Sequence, residues 1–103
     1  MKYTEIKEYN KDIQFEIGQR IQGLRISKGI AGIDMAACLN IGKNQLSRIE
    51  NGRASCTMSQ IYILVQILEC SLEYLLFGIQ TKTYTQEQEY AIKAMREAFS
   101  LEN

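Results

Sequence analysis

The sequence predicts an all-α protein, and three observations carry that expectation. Apolar residues recur three and four positions apart in several segments, the spacing that lines one side of a helix. Those segments stop at Lys28-Gly29, Asn51-Gly52 and Phe77-Gly78, where glycine or asparagine can adopt the left-handed backbone that ends a helix. No proline interrupts the 103 residues, so helix interiors are left unbroken.

The elements follow in order. Residues 1–11 are polar and mixed in charge; Tyr3, Ile6 and Tyr9 lie three apart, which suits a helical lead-in or a frayed arm, and a helix is the expectation. Asp12–Ser27 is the strongest helix, with Ile13, Ile17, Ile21 and Leu24 on one side and Arg20, Gln22 and Arg25 off it. A short helix is expected over Ile33–Asn40. Ile33, Ala36, Ala37 and Leu39 would face inward there, and Met35 would fill gaps. Asn40 is suited to a left-handed turn into the next segment.

The stretch Ile41–Arg53 reads as one short helix between a Gly42 cap and an Asn51-Gly52 stop. Leu46 and Ile49 share its inner face, and Lys43, Asn44, Ser47 and Arg48 fall outside it. Such a rod, held on one side and carrying long hydrogen-bonding side chains on the other, suits a DNA major groove. With the preceding helix it makes a helix-turn-helix pattern.

Thr57 is placed to cap a helix with Met58, Ile61, Leu64, Val65 and Leu68 as its core stripe. Ser71 opens a fifth short helix, Leu72–Phe77, which Gly78 ends. After a polar connection, Thr85 with Gln88 three residues on is a capping-box signature. The last helix, Gln86 to about Leu101, carries Ala91, Ile92, Met95, Ala98 and Phe99 on one face. The chain therefore divides into a polar lead-in (1–11), a globular part (12–78) and a tail (79–103).

Net charge is zero, yet it is segregated. Residues 13–56 carry Arg20, Arg25, Lys28, Lys43, Arg48 and Arg53 against Glu16, Asp34 and Glu50, whereas residues 57–103 are net acidic. A basic middle with an acidic tail fits a nucleic-acid-binding module with a separate assembly segment. The three cysteines form no C-x-x-C pair and histidine is absent, which argues against a metal site. Cys38 and Cys70 read as small core residues in a reduced cytoplasm. No phosphate loop or nucleophile elbow is present, so no catalysis and no cofactor are expected. No apolar run reaches membrane-spanning length.

Ile17 through Gly78 resembles the Cro/repressor-type (XRE) helix-turn-helix family. The residues that carry the likeness are Ile17, Ile21, Leu24 and Arg25; Lys28-Gly29-Ile30; Ala36, Leu39 and Ile41; the run Leu46-Ser47-Arg48-Ile49-Glu50-Asn51-Gly52-Arg53; and Ser71-Leu72-Glu73-Tyr74-Leu75-Leu76. The resemblance implies a five-helix DNA-binding domain followed here by a C-terminal helix. It implies base contacts from Lys43, Asn44, Ser47 and Arg48, phosphate contacts from Gln45, Asn51 and Arg53, and a structural ion pair between Arg25 and Glu50. Three departures stand out: Ala31-Gly32 where the family usually has Ser-Gln, Gly42 for Ser or Thr, and Glu69 for a common glycine.

The expectation is a transcriptional regulator that binds double-stranded DNA at a palindromic operator as a homodimer. It would repress by covering a promoter, the commoner outcome in the family it resembles, or activate by placing a surface beside polymerase. Ile63, Ile67, Ile92, Met95 and Phe99 are the candidates for dimer or tail packing. The alternative is a protein-binding adaptor or antitoxin-like module that uses the helix-turn-helix as a scaffold.

Overall fold

The computed structural model describes residues 5–80 and 86–102, the side chains of 99–102 excepted. Six helices and no strand occur among the described residues: α1 (Lys11–Ser27), α2 (Gly32–Cys38), α3 (Lys43–Glu50), α4 (Met58–Leu68), α5 (Leu72–Phe77) and α6 (Gln86–Glu102). The all-α expectation holds.

Side-chain caps start three of them. The Asn10 amide oxygen accepts the Ile13 N–H at 2.9 Å, from an extended residue (φ −140°, ψ 179°). A residue in that conformation cannot continue a helix, so residues 6–10 are not the helical lead-in that the tyrosine spacing predicts. Thr57 and Gln60 form a capping box on α4, with bonds of 3.1 and 2.8 Å. The Ser71 hydroxyl caps α5 by accepting the Tyr74 N–H at 3.0 Å. Thr85, the expected cap of α6, lies outside the described residues.

Four helices close in one way, by a left-handed residue followed by a backbone bond that spans five positions. Ile30 N–H reaches the Arg25 carbonyl at 3.0 Å past Gly29, and Ile41 N–H reaches Ala36 at 3.0 Å past Asn40. Arg53 N–H reaches Arg48 at 2.7 Å past Gly52, and Cys70 N–H reaches Val65 at 3.3 Å past Glu69. This arrangement satisfies carbonyls that a helix end otherwise leaves unpaired.

The core lies where α1, α3, α4 and α5 converge, with Ile21, Leu46, Ile49, Leu64 and Leu75 nearly or wholly removed from solvent. Helix α2 turns Met35, Ala36 and Leu39 into it. Ile33 is 65% exposed and Ala37 is exposed, contrary to the inward positions expected of them. Residue 33 is two positions from 35, about 200° around the helix axis, so the two cannot share a face. Met58 is 76% exposed because α4's inner stripe begins one turn later, at Ile61. Cys38 is exposed rather than a core residue, while Cys56 and Cys70 are half-buried. Burial pushes the Cys56 thiol up to about 11 and raises Cys70 in the same direction.

Ile63 and Ile67, candidates for dimer or tail packing, are half-buried and pack on the margin of the core. On α6, Ala91, Met95 and Ala98 are exposed and Ile92 is half-buried. The side chain of Phe99 lies outside the described residues. No described helix is long and apolar enough to cross a membrane.

One ion pair links α1 to α3. Arg25 Nε donates to Glu50 Oε2 at 2.7 Å and Nη2 to Oε1 at 3.1 Å, a two-pronged bond with side chains 14% and 5% exposed. Arg25 Nη1 also donates to the Ile30 carbonyl at 2.8 Å, just beyond the end of α1. The Glu50 hydrogen bonds raise the Arg25 pKa, with burial opposing and the Glu50 charge assisting.

Two outcomes follow for stability, measured by denaturant or thermal unfolding. Arg25→Ala strands the Glu50 carboxylate in the core and should cost about 3–5 kcal/mol. Glu69→Gly should instead stabilise by about 0.5–1 kcal/mol, since relief of a left-handed conformation outweighs the extra chain entropy of glycine. The lost Lys28–Glu69 contact, at 3.9 Å with the carboxylate largely in water, offsets little of that gain.

Candidate nucleic-acid interface

Helix α3 has two sides of opposite character. Leu46 and Ile49 are each 2% exposed and Glu50 4%, so one side is fastened to the core. Lys43, Asn44, Ser47 and Arg48 are exposed, and Gln45 is half-buried at the edge. At about 100° per residue, the four exposed positions fit in an arc of roughly 140°. They project together from one rod rather than apart.

The local sequence explains this placement. Gly42 is extended (φ −78°, ψ 158°) and starts α3 with no side-chain cap; Ala31 starts α2 the same way. The Asn40 turn between α2 and α3 needs a positive φ of 56°, which asparagine tolerates. At the other end, Asn51 Nδ2 donates to the Ser47 carbonyl at 2.9 Å and to its hydroxyl at 3.3 Å. The Asn51 amide is thus folded back on the last turn of α3. Arg48 Nη1 reaches Gln45 Oε1 at 3.5 Å, a long contact that leaves the guanidinium mostly to solvent. Arg53 is exposed in the loop beyond.

The structure adds residues that the sequence pattern did not single out, all of them where α1 meets the end of α3. Gly18 is buried, and a Cβ there would come within 2.3 Å of the Ile49 carbonyl oxygen and 2.6 Å of that of Glu50. Only glycine lets the two backbones come this close. On either side of it, Gln19 Nε2 donates to the Glu50 carbonyl at 2.9 Å and Gln14 Nε2 to the Gly52 carbonyl at 2.8 Å. The Gln14 Oε1 accepts the hydroxyls of Ser55 and, at 3.2 Å, Tyr9. A glycine inside an otherwise strong helix was the available signal, since it costs helix stability unless a close approach requires it.

The arrangement offers charge and hydrogen bonds at one surface. Lysine and arginine supply donors, and the Asn44 amide supplies a donor and an acceptor, all at one surface. Among the described residues no cluster of cysteine, aspartate or glutamate is built to hold a metal ion.

Known proteins place this geometry. The helix-turn-helix family model HTH_3 matches residues 21–75. An HTH-type transcriptional regulator of Rickettsia prowazekii is 24% identical over 85 residues, 78% of this chain and 65% of the relative. The chain thus spans a little under two thirds of that relative's length. The P22 c2 repressor, solved in complex with a synthetic operator, superposes with a TM-score of 0.57 at 24% identity, over 61% of this chain and 96% of that one. The SinR/SinI complex matches with a TM-score of 0.56 at 25% identity, over 84% and 93%. With the family match covering more than half its length and its helices arranged around an open α3, this chain belongs to the Cro/repressor-type helix-turn-helix family.

Proposed function

We propose that this protein is a sequence-specific DNA-binding transcriptional regulator that represses by occupying a palindromic operator as a homodimer. The carrying observation is the outer arc of α3, where Lys43, Asn44, Ser47 and Arg48 stand exposed over the buried Leu46 and Ile49. In this reading α3 lies in the major groove. Arg48 and Lys43 donate to guanine O6 and N7, Asn44 matches the donor and acceptor of adenine, and Ser47 reaches either. Arg53, with Gln45 and Asn51, holds the phosphates and sets register without reading sequence. Asn51 would exchange its bond to the Ser47 carbonyl for a phosphate oxygen. The similar P22 c2 repressor was solved with an operator, which supports the same kind of partner here.

Residues 12–78 form the reading unit in this proposal and 79–103 the assembly segment, acting in the cytoplasm. The support for pairing is α6, a 17-residue helix with Met95 60% exposed and Ile92 half-buried on its apolar side. A second copy would cover that side. Paired reading helices about 34–36 Å apart would match half-sites one DNA turn apart.

A second reading, a protein-binding adaptor, is favoured by Met58 and Tyr62, four apart on the outer face of α4 and 76% and 70% exposed. Salt separates the two. A DNA reader loses affinity steeply as salt rises, and an adaptor binds no random duplex.

On a site selected from random duplexes, Lys43→Ala or Arg48→Ala should cost about 1–3 kcal/mol and relax base preference. Arg53→Ala should weaken all duplexes alike and lower the salt slope by about one. Unchanged affinity in all three variants would remove the assigned roles. Sedimentation or light scattering of the free protein should return a dimer mass, and a chain ending at residue 80 a monomer mass.

A further inference from the structure

The glutamine at residue 14 sits at the junction of three separate pieces of chain. Its amide nitrogen holds the Gly52 carbonyl at 2.8 Å, across 38 residues of sequence. Its amide oxygen takes the Ser55 hydroxyl, across 41 residues, and the Tyr9 hydroxyl at 3.2 Å; Tyr9 and Ser55 also meet each other at 3.3 Å. Both hydrogen bonds between α1 and residues 52–55, one to a main-chain carbonyl and one from a hydroxyl, run through this one side-chain amide. The loop has little choice of shape. Gly52 has a φ of +73°, and a Cβ there would come within 2.6 Å of Phe15 Cα, so its backbone lies directly on that of α1. Arg53 follows immediately, tied by its N–H to the Arg48 carbonyl at 2.7 Å, while its side chain stays exposed.

We propose that Gln14, with Tyr9 and Ser55, is a positioning residue for DNA binding: it locks the loop that presents Arg53 so that the guanidinium meets the phosphate backbone without first having to be ordered. The inference rests on the DNA-binding reading above and adds to it a residue that touches no DNA. Its signature is unusual because glutamine is uncharged. Replacing one neutral side chain by another alters the number of cations in the protein by nothing. If the salt dependence of binding nevertheless falls, a cation elsewhere has lost its phosphate.

Duplex affinity is measured against salt for the wild-type protein, Gln14→Met, Arg53→Ala and the double variant, with thermal melting of each. Methionine keeps the volume and removes every hydrogen bond. Gln14→Met should bind random and selected duplexes more weakly by the same factor, with its salt slope reduced by about one. The double variant should bind no more weakly than Arg53→Ala alone. A Gln14→Met protein that melts lower but keeps the wild-type affinity and slope overturns the proposal, and so do fully additive losses in the double variant. Should Gln14→Met not fold, Ser55→Ala cuts the loop side of the network at an exposed position and carries the same expected signs. Absence of duplex binding by the wild type overturns the DNA-binding reading itself, whereas wild-type binding with an unaltered Gln14 variant overturns this inference alone.

Discussion

The contact between α1 and the end of α3 governs the rest of the structure. Gly18 presents no side chain, so the carbonyls of Ile49 and Glu50 sit against the α1 backbone. Around that bare point α1 supplies donors to the buried end of α3 and the turn after it: Gln19 to the Glu50 carbonyl, Gln14 to Gly52, and Arg25 to the Glu50 carboxylate. An eight-residue helix has few internal hydrogen bonds and is not stable in water by itself. Here α1, more than twice as long, holds the Glu50 carbonyl through Gln19 and packs with α2 against the inner face, while the turn after α3 takes up its other last carbonyls. The buried ion pair adds direction more than free energy, because two charges taken from water recover little beyond what their desolvation costs.

That contact also separates the two duties of α3. Leu46, Ile49 and Glu50 belong to the core, and changes there unfold the domain. Lys43, Asn44, Ser47 and Arg48 are exposed and add nothing to the core; their side-chain bonds are confined to α3 and Asn51. The outer arc can therefore vary in sequence at small cost in burial, which is what the proposed base-reading role would require.

Much of this was legible in the residues, for reasons that differ by feature. Leu46 and Ile49 were readable because a three-residue spacing between caps leaves one inner face. Thr57 with Gln60 and Ser71 were readable because capping is local chemistry, decided within three residues. The left-handed turns at Gly29, Asn40, Gly52 and Gly78 were readable for the same reason. The failures are tertiary. In seven-residue α2, periodicity allowed two inner faces, and the neighbours chose Met35 over Ile33. Met58 looked like the first rung of a stripe, yet it lies at the end of α4 where no neighbour covers it. Cys38 is small enough for a core but falls on the outer side of α2. Gln14 and Gln19 left no local trace, since the carbonyls they bind lie more than thirty residues away and glutamine is ordinary on a helix surface.

The left-handed closures of α1 through α4 have a kinetic corollary. Each is made by backbone torsions alone, and these 103 residues contain no prolyl bond. Nothing in the described turns has to wait tens of seconds for an amide to isomerise. Shape is gained at the pace of helix formation and collapse, microseconds to milliseconds for short-range helical architectures. If these residues act as proposed, encounter with a second copy or a duplex, rather than their own folding, would set the pace of assembly.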